Sequence, residues 1–385
     1  MEYSKRTQRI PPYLFAEIDK AITKQKAKGV DVISLGIGDP DLPTPDNIVE
    51  KLSESSKNPA NQRYPSYEGM PSFRTAIANW YKKRFNVELN PEDEILTLIG
   101  SKEGIAHIPL AFINPGDSVL CANPGYPVYA IGTILADGVP EPLPLTEEND
   151  FKPDFSEIKD ETAEKARIMH INYPNNPTAA TADKKFFEEA VSFANEHDII
   201  VCHDAAYSEV AFDGYKAPSF LQVDGAKNVG IEFHSLSKTY NMTGWRLGFA
   251  VGKKEVIAGL GKIKQNIDSG AFQAIQEAGI EAVTGPQDEV GKNMETIKER
   301  RDIMVKGLRS LGWNVSSPKA TFYLWIPVPG GGSSIDFAKK VLDDAGVVVT
   351  PGVGFGEYGE GYIRIALTQR KERLKEALDR LAKLK

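Results

Sequence analysis

Short apolar runs alternate with helical patterns along the first three quarters of the chain. Six apolar runs predict strands, at residues 94–100, 118–123, 167–172, 198–207, 229–236 and 246–252. The helical spacing is clearest at 186–195, where positions 187, 190, 191 and 194 share one face, and another helix is predicted from about Lys102. Strands that alternate with helices in this way are typical of an α/β fold with a mostly parallel central sheet.

The last hundred residues follow another pattern. A long charged helix is predicted at 288–311, half-buried strands at 320–328 and 361–367, and an amphipathic terminal helix at 371–383. This order indicates a smaller α+β domain. We therefore expect a large domain over residues 45–285 and a small domain that combines residues 1–44 with 286–385.

Composition narrows the class of protein. The chain has 385 residues, of which 41% are apolar and 26% charged, as in ordinary globular proteins. The net charge of −7 and the absence of a Lys/Arg block argue against a nucleic-acid partner. The N-terminus has no apolar signal region and no run is long enough for a membrane span, so a cytoplasmic protein is expected.

One bridge between Cys121 and Cys202 is conceivable, but their apolar runs favour two buried thiols.

Polar residues follow the predicted strands at their carboxyl ends, where open α/β sheets bind ligands. The positions are Gly100-Ser101-Lys102, Tyr126, Asn176, Asp204 with Tyr207, Ser235 to Lys238, and Arg246. A helix start with a serine hydroxyl suits a phosphate, but Ser101 could equally be the N-cap of an ordinary turn. Asp204 follows an apolar strand and needs a partner, so a pyridinium N–H and simple loop capping are equally compatible with it. Tyr126 could simply pack, and Asn176 could belong to a turn.

Lys238 is the candidate nucleophile. Ser235-Leu236-Ser237-Lys238 matches the S-x-x-K of serine acyl-transfer enzymes, but no Ser-Asp-Asn accompanies it and Tyr240 replaces the glycine of K-T-G. Desolvation or a nearby cation would lower the pKa of the Lys238 amine and make it reactive toward an aldehyde. Arg246 could be that cation and could clamp a phosphate, or it could form a structural salt bridge. The five histidines lack metal-ligand spacing, so no metal site is expected.

Four pieces of this pattern occur together in one known family. They are Asn-Pro-Thr at 176–178, Asp-x-x-Tyr at 204–207, Ser-x-x-Lys-x7-Arg at 235–246, and Arg364. From about residue 10 to its end, the chain resembles the class I aminotransferases, the aspartate aminotransferase-like pyridoxal-phosphate enzymes of fold type I. The resemblance implies pyridoxal 5'-phosphate as cofactor, amino-acid and 2-oxo-acid substrates, and a homodimer with shared active sites.

The resemblance also implies a role for each matching residue. Lys238 would carry the cofactor and act in catalysis, Asp204 would keep the pyridine nitrogen protonated, and Arg364 would grip the substrate α-carboxylate. The other cofactor-binding residues fall into three groups: Asn176 and Tyr207 at the phenolic oxygen, Tyr126 on the ring face, and Ser101, Lys102, Ser235, Ser237 and Arg246 at the phosphate. Tyr64 would reach the phosphate of the neighbouring subunit.

Within that family, five runs are similar to the branch that acts on LL-diaminopimelate. They are residues 11–20, 33–45, 63–70, 100–107 and 235–248. This implies an amino exchange with 2-oxoglutarate in lysine biosynthesis, between tetrahydrodipicolinate and LL-diaminopimelate. The implied substrate-binding residues are Tyr13, Gly38, Lys102, Tyr126, Asn176 and Arg364.

The sequence departs from the plant-like members of the branch at two positions. Tyr67 and Ser269 stand where those members have a glutamate and an asparagine, and Glu68 is adjacent to the first. Either Glu68 and other groups read the distal end of the substrate, or the substrate differs. The alternatives are an aspartate, alanine or aromatic amino acid aminotransferase, or a β-lyase with the same cofactor, because one fold hosts many reactions.

Overall fold

A computed structural model describes residues 2–384, apart from the side chains of residues 14 and 15. The strands are β1 Ile33–Ser34, β2 Ile95–Leu98, β3 Ser118–Asn123, β4 Val139–Pro144, β5 Ala166–Asn172, β6 Ile200–Asp204, β7 Gly230–Ser235, β8 Gly248–Gly252, β9 Tyr323–Pro327, β10 Val347–Val348, β11 Thr350–Pro351 and β12 Tyr362–Ala366. The α-helices are α1 Lys5–Gln8, α2 Leu14–Ala27, α3 Asp46–Ser55, α4 Pro71–Phe85, α5 Ser101–Phe112, α6 Val128–Leu135, α7 Asp160–Lys165, α8 Lys184–His197, α9 Ala226–Val229, α10 Leu236–Thr239, α11 Lys254–Ile267, α12 Gln273–Thr284, α13 Asp288–Ser310, α14 Ser334–Ala345 and α15 Lys371–Leu381.

The central sheet has seven strands in the order β2-β8-β7-β6-β5-β3-β4. Strands β7, β6, β5, β3 and β4 are parallel, whereas β8 runs antiparallel to both of its neighbours. All six strands predicted in this region belong to the sheet, so the predicted α/β class with a mostly parallel sheet is confirmed. Its inner strands are apolar runs because helices cover both of their faces.

Strand β4 was not predicted from the sequence. It reads Val-Pro-Glu-Pro-Leu-Pro and is the last strand of the sheet, where it pairs with β3. Proline lacks the N–H that an inner strand donates to its neighbour. A strand with three prolines is therefore compatible only with an edge position in a sheet. Its half-exposed side chains give no apolar run that periodicity could detect.

A second, antiparallel sheet in the order β11-β12-β9 packs with α13 and α15 around its own apolar core. The N-terminal segment joins this part of the chain, because β1 pairs in parallel with β10, Ile33 opposite Val347. The amide of Leu35 also donates to the carbonyl of Val348 at 2.9 Å. These contacts support the predicted union of the N-terminal segment with the C-terminal part, while the boundaries at 44/45 and 285/286 stay a prediction.

Both cysteine thiols are free and buried. Burial raises the pKa of the Cys121 thiol to about 12 and that of the Cys202 thiol further, so neither is reactive at neutral pH. Among the described residues, we find no helix with the length and apolar content that a bilayer crossing requires.

A buried carboxylate stabilises the sheet on the face opposite the strand-end residues. Glu232 of β7 is fully buried and accepts hydrogen bonds from Tyr81 at 2.5 Å, from His234 at 2.7 Å and from His203 at 2.9 Å. The amide of Phe220 donates to it at 2.7 Å. Burial alone would raise the pKa of Glu232, but the two histidine hydrogen bonds hold it well below its usual range. His203 and His234 precede Asp204 and Ser235 in sequence, so this cluster fixes the strand ends that carry those residues.

Substituting Glu232 by alanine should lower the free energy of unfolding by roughly 3–5 kcal/mol, because it leaves several buried donors without their acceptor. The measurement is the urea midpoint of the cofactor-free protein, followed by circular dichroism. Glu161→Ala is the control, since Glu161 forms only an exposed pair with Lys165, and it should leave the midpoint unchanged. Equal midpoints for the two variants would contradict a stabilising role for the cluster.

Candidate active site

A cavity of about 320 Å³ lies at the carboxyl ends of the parallel strands. Of the predicted site residues, it brings together Tyr13, Gly38, Ser101, Lys102, Tyr126, Asn176, Asp204, Tyr207, Ser235, Ser237, Lys238, Arg246 and Arg364. Register explains part of this convergence, because Asn172 at the end of β5 lies opposite Asp204 at the end of β6. Residues that are far apart in the chain therefore face one space.

Tyr64 is the predicted site residue that does not line the cavity. It is 87% exposed in the single chain. Its neighbour Pro65 packs against Gly270, where an added Cβ would approach the Pro65 ring to 3.1 Å. Within one chain, Tyr64 therefore points a large aromatic side chain to solvent.

Lys238 follows β7, on the short helix α10, and its ammonium reaches into the cavity. Nζ donates a hydrogen bond to the carbonyl of Gly38 at 2.9 Å and lies 5.7 Å from the centre of the Phe322 ring. The pKa of Lys238 is lowered to about 8, chiefly by burial; the negative charge of Asp39 opposes this effect, and the positive charges of Arg364 and Arg246 add to it. An amine with such a pKa is partly neutral at physiological pH and can attack a carbonyl carbon.

Asp204 is the buried carboxylate of the cavity. Its Oδ2 accepts a hydrogen bond from the Tyr129 hydroxyl at 3.0 Å, and its Oδ1 accepts one from the Ala206 amide at 3.3 Å. Burial raises the pKa of Asp204, while the Tyr129 hydrogen bond opposes that rise. A cationic N–H donor placed beside this carboxylate would be stabilised strongly, because few other charges solvate it.

One end of the cavity is rich in hydroxyls and backbone amides. Helix α5 begins at Ser101, and Gly100 precedes it with φ 92°. An added Cβ at Gly100 would lie 2.2 Å from Nη2 of Arg246, so glycine lets the guanidinium rest against the helix start. Ser235 caps α10 by accepting from the Ser237 amide at 3.2 Å. A phosphate is the ligand that such a helix start, with an arginine and several hydroxyls, binds best.

Arg364 projects from β12 into the cavity and is 1% exposed. Its Nη1 donates to Oδ1 of Asn176 at 2.7 Å, and its Nη2 donates to the carbonyl of Gly36 at 2.7 Å. Its guanidinium lies 4.2 Å above the centre of the Tyr323 ring. This arrangement fixes the plane of the guanidinium, which suits two-point binding of a carboxylate.

Three residues of the site are absent from the residues predicted from the sequence. Tyr323 lines the cavity beneath Arg364, and its hydroxyl lies 3.0 Å from that of Tyr207. Tyr129, which could simply pack by its sequence context, stacks on His170 and donates to Asp204. Asn172 donates to the carbonyl of Asp204 at 2.6 Å and accepts from the amide of Asn176 at 2.8 Å. Only its position at the end of a predicted strand could have pointed to Asn172.

Comparisons with known proteins place the chain among the aminotransferases. It matches the family described as aminotransferase class I and II over residues 30–381. The LL-diaminopimelate aminotransferase of Desulforudis audaxviator is 59% identical over 378 residues, which cover 98% of this chain and 96% of the relative. The protein of that name from Moorella thermoacetica is 58% identical over 384 residues, which cover 100% of this chain and 98% of the relative.

Solved structures agree in fold. Substrate-bound BacF from Bacillus subtilis superposes with a TM-score of 0.96 at 39% identity, covering 100% of this chain and 98% of that one. A double mutant of Thermus thermophilus aspartate aminotransferase superposes with a TM-score of 0.93 at 26% identity, covering 100% of both chains. The fold type I architecture expected from the sequence is thus confirmed. With the family match over most of its length, the chain belongs to the class I and II aminotransferases.

Proposed function

We propose that this protein is a pyridoxal-phosphate-dependent aminotransferase that exchanges an amino group between LL-diaminopimelate and 2-oxoglutarate. The observation that carries the proposal is one cavity in which Lys238, Asp204 and Arg364 face each other. Relatives named LL-diaminopimelate aminotransferase, up to 59% identical over nearly the whole chain, support the substrate. The reaction belongs to lysine biosynthesis, and we assign it to the cytoplasm.

The residues of the cavity fit the cofactor at three points. The amine of Lys238, with its lowered pKa, suits the aldehyde, and the buried carboxylate of Asp204 suits a protonated ring nitrogen. Ser101, Ser237 and Arg246 lie together at the end that suits a phosphate. When bound, pyridoxal phosphate supplies an electron sink for the pair left by the Cα–H bond of the substrate.

Residues of the chain bind the substrate and transfer the protons. Arg364 binds the α-carboxylate and orients Cα, because its guanidinium is already held by Asn176 and Gly36. The neutral Nζ of Lys238 takes the proton from Cα as a general base and later returns a proton as a general acid. Asp204 keeps the ring nitrogen protonated. The keto acid leaves before the second substrate enters, so we expect ping-pong kinetics.

The mouth of the cavity offers groups for the distal end of the substrate. Nζ of Lys102 lies 3.2 Å from the Tyr13 hydroxyl and 4.8 Å from the centre of the Tyr13 ring. We assign the distal carboxylate to Lys102 and the packing of the carbon chain to Tyr13 and Tyr126. For the distal ammonium we propose Glu68, whose carboxylate accepts from Ser66 at 2.8 Å, a hydrogen bond that lowers its pKa.

A homodimer would bring Glu68 and Tyr64 to the site. Both belong to the loop before α4, outside the cavity of their own chain; Tyr64 is exposed there, whereas Glu68 is half-buried and accepts a hydrogen bond from Gln265 at 2.8 Å. We propose that this loop enters the cavity of the neighbouring subunit, where Tyr64 binds the phosphate. The 87% exposure of the Tyr64 side chain in the single chain supports this arrangement.

The pKa of Lys238 predicts how the cofactor-free protein captures pyridoxal phosphate. Only the neutral amine attacks the aldehyde, and burial lowers the pKa of Lys238 from 10.5 to about 8. The bimolecular rate constant should rise about tenfold per pH unit below pH 8 and level off above it. Stopped-flow absorbance from pH 6 to 10 measures this. A rise that continues to pH 10 would show an unperturbed lysine and contradict the prediction.

The proposed function is tested with a panel of amino donors. The protein loaded with pyridoxal phosphate is given 2-oxoglutarate with LL-diaminopimelate, meso-diaminopimelate, aspartate, alanine or phenylalanine, and glutamate formation is followed. We expect LL-diaminopimelate to give the highest kcat/KM. Turnover of another donor alone would replace the substrate but keep the reaction, and keto-acid release without glutamate formation would indicate a lyase.

A further inference from the structure

A buried ammonium lies behind the phosphate end of the cavity without touching it. Lys264 of α11 has a side chain that is 1% exposed. Its Nζ lies 2.8 Å and 2.9 Å from the two carboxylate oxygens of Asp268, and 3.4 Å from Oε2 of Glu103. Desolvation of these charges offsets much of their mutual attraction, so a net gain in stability does not by itself account for the arrangement.

Of the two carboxylates that surround Lys264, Glu103 is hydrogen-bonded to the start of α5. Glu103 is the third residue of that helix, and its Oε2 accepts a hydrogen bond from the backbone amide of Ile99 at 3.1 Å. A carboxylate at this position closes the turn that precedes the helix, as in a capping box. The closed turn contains Gly100 and Ser101, whose backbone lies against Arg246 and Gly248. The position of Glu103 therefore sets where the first amides of α5 point.

The other carboxylate, Asp268, is hydrogen-bonded to the turn that follows α11. Asp268 accepts a hydrogen bond from the amide of Gly270 at 2.7 Å. An added Cβ at Gly270 would lie 3.1 Å from Cγ of Pro65 and 3.2 Å from the carbonyl oxygen of Ser66. The loop that carries Tyr64 thus rests on the turn that Asp268 closes. One ammonium connects the helix start in its own cavity to the loop that we propose enters the neighbouring one.

We propose that Lys264 is a positioning residue for phosphate binding, acting through Glu103 on the start of α5 and through Asp268 on the Tyr64 loop. The inference rests on the proposed function, because the phosphate is that of the cofactor. It predicts that removal of the ammonium weakens binding of the phosphate group and leaves the contacts to the ring and the aldehyde unchanged.

The experiment compares Lys264→Met with the unchanged protein in the binding of two probes. Pyridoxal phosphate and pyridoxal share the ring and the aldehyde, and only the first has the phosphate. We expect the dissociation constant of Lys264→Met for pyridoxal phosphate to rise about tenfold or more, as for the loss of one charge-assisted hydrogen bond. That for pyridoxal should change less than about twofold. Lys165→Met, which breaks only an exposed ion pair, is the matched control and should change neither.

Glu103→Gln supplies a second test, which also applies where Lys264→Met does not fold. It removes a negative charge near the phosphate, so an effect of charge alone would strengthen binding of pyridoxal phosphate. Because it also loosens the hold of Lys264 on the helix start, our inference predicts several-fold weaker binding, again without effect on pyridoxal.

The possible outcomes separate the inference from the proposed function. Equal losses for both probes would show a merely structural role of Lys264 and overturn the inference, as would no loss for either probe or tighter binding by Glu103→Gln. Failure of the unchanged protein to bind pyridoxal phosphate would overturn the proposed function as well.

Discussion

Lys238→Ala should abolish multiple-turnover transamination, with a loss of at least about 10⁴-fold in kcat. No neighbouring group in the cavity can replace it, because the proposed mechanism needs one amine both to hold the cofactor and to move the Cα proton. Among the residues that line the cavity, the only other lysine is Lys102, whose Nζ is directed to Tyr13. The measurement is the steady-state rate of glutamate formation at saturating substrate.

The fold should survive this change, which separates loss of chemistry from loss of structure. Among the described residues, Nζ of Lys238 makes one hydrogen bond, to the carbonyl of Gly38, so its removal leaves one partly buried acceptor without this donor. Circular dichroism of Lys238→Ala should match that of the unchanged protein, and Lys165→Ala is the control for a generic lysine. Borohydride reduction of the loaded, unchanged protein should label Lys238 in a peptide map. Full turnover by the variant, or a label elsewhere, would refute the assignment.

The sequence predicted much of the site because of a topological rule. Parallel strands end at one edge of the sheet, so polar residues after the apolar runs ending near 123, 172, 204 and 235 had to meet there. Strand β3 was predicted at its observed bounds, Ser118–Asn123, since five of its six residues are buried. Roles within the site came from the family resemblance, because residue type alone could not decide between a pyridinium partner and a loop cap for Asp204.

The remaining features depend on contacts that no local pattern encodes. Tyr323 belongs to the predicted strand at 320–328, and the pairing of β9 with β12 in the small sheet places it beside Arg364. The edge strand β4 lacks an apolar run, and the pairing of β1 with β10 joins residues more than three hundred positions apart. In the homodimer that we propose, the contacts of Tyr64 come from a second chain, so neither the sequence pattern nor the single-chain structure decides them.

Arg364→Lys should reduce kcat/KM by roughly 10²-fold for LL-diaminopimelate and for 2-oxoglutarate alike. In the proposed mechanism both substrates present an α-carboxylate to the guanidinium of Arg364, and lysine would offer that carboxylate a point charge instead of two parallel donors. Lysine also cannot reproduce the paired bonds to Asn176 and Gly36 or the stacking on Tyr323. The two half-reactions are measured separately, each under single-turnover conditions, by following the cofactor spectrum.

The matched control is Arg373→Lys. Arg373 is a partly exposed arginine of α15 that pairs with Asp31, outside the cavity, and this change should leave both half-reactions unaltered. Cofactor affinity of Arg364→Lys should stay within about threefold of the unchanged protein, because in the proposed mechanism Arg364 binds the substrate and not the phosphate. A loss confined to one substrate would contradict a shared α-carboxylate site. A matching loss of cofactor affinity would instead place Arg364 among the residues that hold the ring.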